Sequence, residues 1–127
     1  MKKILSIVEV AYRATIEEQD DTILWFNHAI KNSGADISIL LARNAVNYAV
    51  PGHKAENIAL GDSSELHPPA IDQDLAKMIA KGIPVFVLEE DAYERGLAET
   101  ELLAGVQKIS REALPQLFDQ FDQIWHW

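Results

Sequence analysis

The sequence predicts an α/β fold: a single three-layer domain in which a mostly parallel sheet of about five strands carries helices on both faces. Three observations carry this. Short, almost continuous apolar runs at residues 4–8, 37–41 and 83–88 have the composition of strands buried on both faces of a parallel sheet. Between them, Ile23, Phe26, Ala29 and Ile30, and later Ile71, Leu75, Met78 and Ile79, recur at helical spacing. A chain of 127 residues buries one sizeable core but not two, so residues 1–127 are expected to form one domain.

Residues 4–8 read as a first, central strand. The segment that follows, 9–21, is polar and has no glycine. A phosphate-cradling turn after the first strand needs glycines for close backbone approach, so dinucleotide-binding and P-loop motifs are absent. Asp21 is the N-cap expected for the first helix, which Gly34 ends, and Trp25 and His28 lie off its apolar stripe. After the second strand, Ala45, Val46, Ala49 and Val50 suggest a short helix stopped by Pro51-Gly52. Residues 53–70 mix Gly, Ser, Asp and two prolines around an apolar patch at 58–60, either a third short strand or part of a long loop.

The chain is organised around residues 82–97. Gly82 closes the helix of Leu75 and Met78, the strand 83–88 follows, and a short helix begins at Glu89. Glu89, Glu90 and Asp91 stand where free N–H groups and the positive end of the helix dipole favour carboxylates, and Gly96 is a left-handed stop. The turn into this helix therefore falls at the carboxyl edge of the sheet, where ligands bind in open α/β folds. A poorly patterned stretch then leads to a short strand at 106–109. A last helix carries Leu114, Leu117, Phe118 and Phe121 on one face, with Pro115 tolerable in its first turn. Residues 123–127 alternate Ile124 and His126 against Trp125 and Trp127, the pattern of a final strand.

Composition narrows the function classes. The formal charge of −9 is uneven, since residues 51–127 hold 14 acidic against 6 basic side chains, which argues against nucleic acid or an anionic membrane as partner. No apolar run approaches the ~20 residues of a membrane helix, and the run after Lys2 and Lys3 meets Glu9 too soon for a signal peptide, which implies a cytoplasmic location. Cysteine is absent, which excludes disulfides, thiolate metal sites, thiol nucleophiles and persulfide carriers. The histidines, His28, His53, His67 and His126, have no close metal-binding spacing, so no metal and no cofactor are expected. Ser63-Ser64 lacks the nucleophile elbow of a serine hydrolase. The acidic set of a two-component receiver domain is met only by Glu9.

The candidate site residues have both functional and structural readings. Glu89, Glu90 and Asp91 are possible general bases or metal ligands, and equally plain complements of a helix dipole worth about 0.3–1 kcal/mol each. Arg95 is suited to an anion, but a cation is favoured near a helix C-terminus in any case. Large aromatics off the core stripes, Trp25, Trp125 and Trp127, are interface anchors or cover for the core.

The run Val85-Phe86-Val87-Leu88-Glu89-Glu90-Asp91-Ala92-Tyr93-Glu94-Arg95-Gly96-Leu97 resembles the signature of the DsrE/DsrF/DsrH (TusBCD) sulfur-relay superfamily, and most of all its DsrH/TusB branch. The last helix and the strand finishing in Trp127 are similar to that branch, and Leu40-Leu41-Ala42-Arg43-Asn44 to the family's strand and small-residue helix. The first third looks more like the DsrE/TusD kind. The resemblance implies a DsrE-like fold, assembly into trimers or hexamers, and a sulfur-relay or sulfur-oxidation context. It also implies that Leu88 stands where the catalytic members carry the sulfur-bearing cysteine.

Two functional expectations follow. The first is a non-catalytic DsrE-like subunit with no catalytic residue, assembling with itself or with related DsrE-family chains through the tryptophans. The second is a small-ligand binder or non-thiol enzyme using the carboxyl-edge crevice, with Leu88, Glu89, Glu90, Asp91, Arg95, Arg43 and Asn44 as its residues.

Overall fold

Continuous apolar runs need partners on both sides, and the sheet supplies them. The computed structural model describes residues 2–10, 22–51, 59–60, 63–64 and 71–127. Strand β1 (Lys3–Val8) pairs with β2 (Asp36–Leu41), which pairs with β5 (Val85–Leu88), and β6 (Gln107–Ile109) and β7 (Gln123–His126) close the two edges. The order is β6-β5-β2-β1-β7, with every pairing parallel. β1, expected to be central, lies one place off the centre between β2 and β7, and β2 holds the middle of the sheet. β5 starts two residues later than its apolar run because Pro84 has no N–H to give the ladder, although its carbonyl still accepts from the Ile39 N–H at 2.9 Å.

The apolar patch at 58–60 resolves into β3 (Ala59–Leu60), which forms a separate antiparallel pair with β4 (Ser63–Ser64). The Asp21 cap, His53, His67 and most of the surrounding loop lie outside the described residues.

Handedness distributes the helices. From β1 the chain steps through β2 and β5 to β6 in one direction, so right-handed crossovers put α1 (Thr22–Asn32) and α2 (Ile71–Ala80) on one face. The return from β6 to β7 runs the other way. Its connection, a 3-10 turn (Arg111–Ala113) and α4 (Leu114–Phe118), therefore covers the opposite face. Strand alternation matches this division. Ile4, Val8, Ile37, Ile39, Leu41, Val85 and Val87 pack with Leu75 and Met78 of α2, while Leu5, Leu40 and Leu88 pack with Leu117. Among the described residues no helix is long and apolar enough to cross a membrane.

The short helix expected after β2 is a 3-10 helix (Arg43–Ala49). At three residues per turn, Ala45 stands over Tyr48 and Val46 over Ala49, and all four are buried in the larger core. The short helix after β5 is α3 (Glu89–Glu94). Gly96, at φ +74°, ends it with Leu97 N–H donating to the Ala92 carbonyl (2.8 Å) and Gly96 N–H to that of Tyr93 (3.0 Å). Gly34 and Gly82 end α1 and α2 with the same bond pattern.

Gly105 is constrained twice. Its φ is +92°, and a Cβ built there would meet the Ile79 Cγ2 of α2 at 2.7 Å. Gly105→Ala should therefore lose about 1–3 kcal/mol of stability, read as a lowered urea midpoint, whereas Gly34→Ala, with open space around its Cβ, should lose only the backbone part.

His28 on α1 has its Nε2 buried without a hydrogen-bond partner among the described residues. Burial, then Lys81 just past α2 and Lys77 within it, lower its pKa from the ordinary 6.5. The unfolded chain therefore takes up this proton first as pH falls. The stability this group contributes is complete above 6.5 and is lost as pH drops through 6.5 toward the folded value. Urea midpoints at about pH 7.5 and about pH 5.5 should differ less in His28→Gln than in the wild type.

Candidate functional site at the carboxyl edge

β1 is the strand at which the direction of winding reverses, with β2 on one side and β7 on the other. Connections leave such a point in opposite directions and open a crevice at the carboxyl ends of the strands. A crevice of about 360 Å³ lies there, on the α4 face. Its body is apolar, made by Ile7, Leu40, Leu88, Leu114 and Phe118, and its polar rim is Glu9, Arg43, Asp91, Arg111 and His126.

Asp91, in the first turn of α3, is the buried group of this rim, with a side chain 5% exposed. Its Oδ2 accepts the Arg43 backbone N–H at 2.6 Å and its Oδ1 accepts from the Arg111 guanidinium at 2.9 Å. The neighbouring Glu90 accepts the Arg111 backbone N–H through both oxygens, at 2.6 and 3.0 Å. Two successive carboxylates of α3 thus fix Arg111, one by its main chain and one by its side chain. Asp91 also holds the end of β2 in an unusual conformation. Arg43 has φ +49°, the one positive φ outside glycine among the described residues, and such a residue persists only where its surroundings enforce it.

The second carboxylate of the rim, Glu9 at the end of β1, lies between the side chains of His126 and Arg43. Its Oε1 is 3.0 Å from His126 Nε2 and its Oε2 is 3.6 Å from Arg43 Nε. His126 reaches it because β7 continues beside β1, with the Trp127 N–H donating to the Ile7 carbonyl and the Glu9 N–H to that of Trp127. Among the described residues no three His, Cys, Asp or Glu side chains converge as a metal site.

No family model and no curated protein matches the chain. Among solved structures, the crystal structure of the ychN protein from E. coli matches at a TM-score of 0.73 and 20% sequence identity, covering 100% of both chains. The chain has the ychN fold. That is the DsrE-like α/β architecture expected from the resemblance, and the match does not single out the DsrH/TusB branch.

Within the ychN fold the residues singled out from sequence separate into groups. Leu88, Asp91 and Arg43 line the crevice. Arg95 and Asn44 meet outside that lining, Arg95 Nε donating to Asn44 Oδ1 at 2.9 Å while its Nη1 donates to the Asp91 carbonyl at 3.2 Å. Glu89 and Glu90 flank a wide depression with Tyr93, Glu94 and Ser110. Trp125 packs half-buried against the larger core, and the Trp127 indole N–H donates to the buried Ser6 Oγ at 2.9 Å, which gives a polar residue a place inside β1. Both rings meet Phe26 of α1, at centroid separations of 6.2 and 5.7 Å. Nothing is described of the Trp25 side chain. The sequence reading did not place Arg111 or His126 in the site. Glu9, the first charge after an apolar strand, was the available signal for the carboxyl edge, and β7 puts His126 against it.

Removing the Asp91 carboxylate should cost more than removing its exposed partner. Asp91→Ala loses two charge-assisted bonds and leaves the Arg43 N–H unpaired, for about 2–4 kcal/mol, whereas Arg111→Gln removes one of those bonds, leaves the Arg43 N–H paired and should cost less. Chemical denaturation of the two variants measures the difference.

Proposed function

We propose that this chain is a DsrE-like subunit without thiol chemistry that holds a small ligand in the carboxyl-edge crevice. The observation that carries the reading is the crevice itself: a space of about 360 Å³ at the reversal of strand order, with an apolar body and convergent polar groups on its rim. Leu88, at the family's sulfur position, is part of the apolar body, so the place where relatives would bear a thiol serves here for contact with the ligand. The Glu9–His126 pair at 3.0 Å is suited to holding a proton against a bound group.

A second reading, assembly with itself or with related chains in a sulfur-relay or sulfur-oxidation context, is favoured by one observation. Phe26 and Trp127 remain more than a third exposed and form an aromatic cleft with Trp125 beside β7, the edge strand of the sheet. A trimer or hexamer built on that edge would cover it, and the overall charge of −9 points to protein rather than nucleic acid or membrane as partner.

A fragment library of mixed chemical classes, followed by amide NMR, tests the first reading. Fragments should shift the signals of residues around Leu88, Asp91 and His126, and Leu114→Trp, which fills the crevice from a half-buried position on α4, should abolish those shifts. Absence of any crevice binder, whatever its class, would refute the reading. Native mass spectrometry tests the second. Trp127→Ala should dissociate an oligomer built on the aromatic cleft, and a wild-type monomer at micromolar concentration contradicts assembly.

A further inference from the structure

Resting on the crevice as a ligand site, we infer that its ligand is a small organic monoanion, a carboxylate or sulfonate with an apolar body. The charges on the rim nearly balance, so the class is decided by which of them still have bonds to offer. Asp91 is almost wholly buried and both its oxygens are taken, one by the Arg43 N–H and one by Arg111. Glu9 is divided between His126 and Arg43. What remains accessible is donors. The Arg43 side chain is 70% exposed and carries one long ion pair at 3.6 Å, and Arg111 uses one guanidinium N–H on Asp91 and keeps the rest of its five.

Among the described rim residues, an entering group thus meets two guanidiniums, that of Arg111 held in place, and no carboxylate without a partner. Charge-assisted bonds from guanidinium to an oxyanion are about twice as strong as bonds to a neutral acceptor, so the rim selects an anion. The total charge of −9 opposes this only weakly. Beyond a screening length of about 8 Å at physiological salt the distant carboxylates count little, while the two arginines are within contact. The apolar body sets the rest of the molecule. Leu40, Leu88, Leu114 and Phe118 offer nothing to a bare inorganic ion, and at roughly 30 Å³ per water-sized group the volume holds about a dozen non-hydrogen atoms. Glu90 and Asp91 together keep Arg111 at this rim before any ligand arrives, which lowers the ordering cost of binding.

The test uses the intact chain with 4-phenylbutyrate, its neutral counterpart 4-phenylbutanol, hexanesulfonate and inorganic sulfate, titrated by amide NMR. The two organic anions should bind at the crevice, the alcohol and sulfate at least about tenfold more weakly. Arg111→Gln and, separately, Arg43→Gln should each weaken the anions at least about tenfold while leaving the alcohol unchanged, and Arg111→Lys should restore part of the loss. Equal binding of acid and alcohol would overturn the anion assignment and leave the crevice a ligand site. Anion binding that survives both Gln variants and Leu114→Trp would put the anion elsewhere and overturn it too. Failure of all four probes up to about 5 mM, with other fragments still binding the crevice, would likewise overturn the ligand class alone.

Discussion

The carboxylate of Asp91 is the interaction on which the carboxyl edge depends. Taking a carboxylate out of water is costly unless each oxygen regains a strong partner, and here one has a backbone N–H and the other a guanidinium. The three groups come from the start of α3, the end of β2 and the segment after β6. They are far apart in sequence. A single buried charge thus joins three connections that the sheet alone would leave independent, and it does so at the entrance to the crevice.

The crevice owes its openness to topology. Among the described residues, two long helices and the 3-10 helix cover one face of the sheet, whereas the other carries only the connection that returns to β7, with α4 at its centre. Five helical residues span much less than the width of five strands, so α4 by itself leaves a gap over the carboxyl ends of β1, β2 and β5 on that side. Leu88 lies in that gap. It presents a branched apolar side chain to the crevice, and the charged groups stand on the rim around it.

Most of the architecture was legible in the sequence because parallel strands buried on both faces are continuous apolar runs and the helices between them have clear stripes and glycine stops. Strand order was not legible, since short runs such as Ile4 to Val8 carry no record of their neighbours, and the centre of the sheet went to β2. The acidic turn was legible as a place but not as a mechanism. Dipole complementarity applies equally to Glu89, Glu90 and Asp91, and tertiary contacts separate them, leaving Glu89 exposed, setting Glu90 on a main-chain N–H and burying Asp91. Arg111 and His126 were hidden because their relation to residues 9 and 91 exists only after the return crossover has formed.

Hydrogen exchange at the Arg43 amide measures the central contact directly. This amide lies just past the end of β2, where strand pairing no longer holds it, and its one described acceptor is Asp91 Oδ2 at 2.6 Å. Protection in the wild type should approach that of the β2 interior, and in Asp91→Ala it should fall at least about tenfold at Arg43 while the amides of Ile39 and Leu40 keep theirs. An Arg43 amide that exchanges freely in the wild type, or one whose protection survives loss of the carboxylate, would contradict the account.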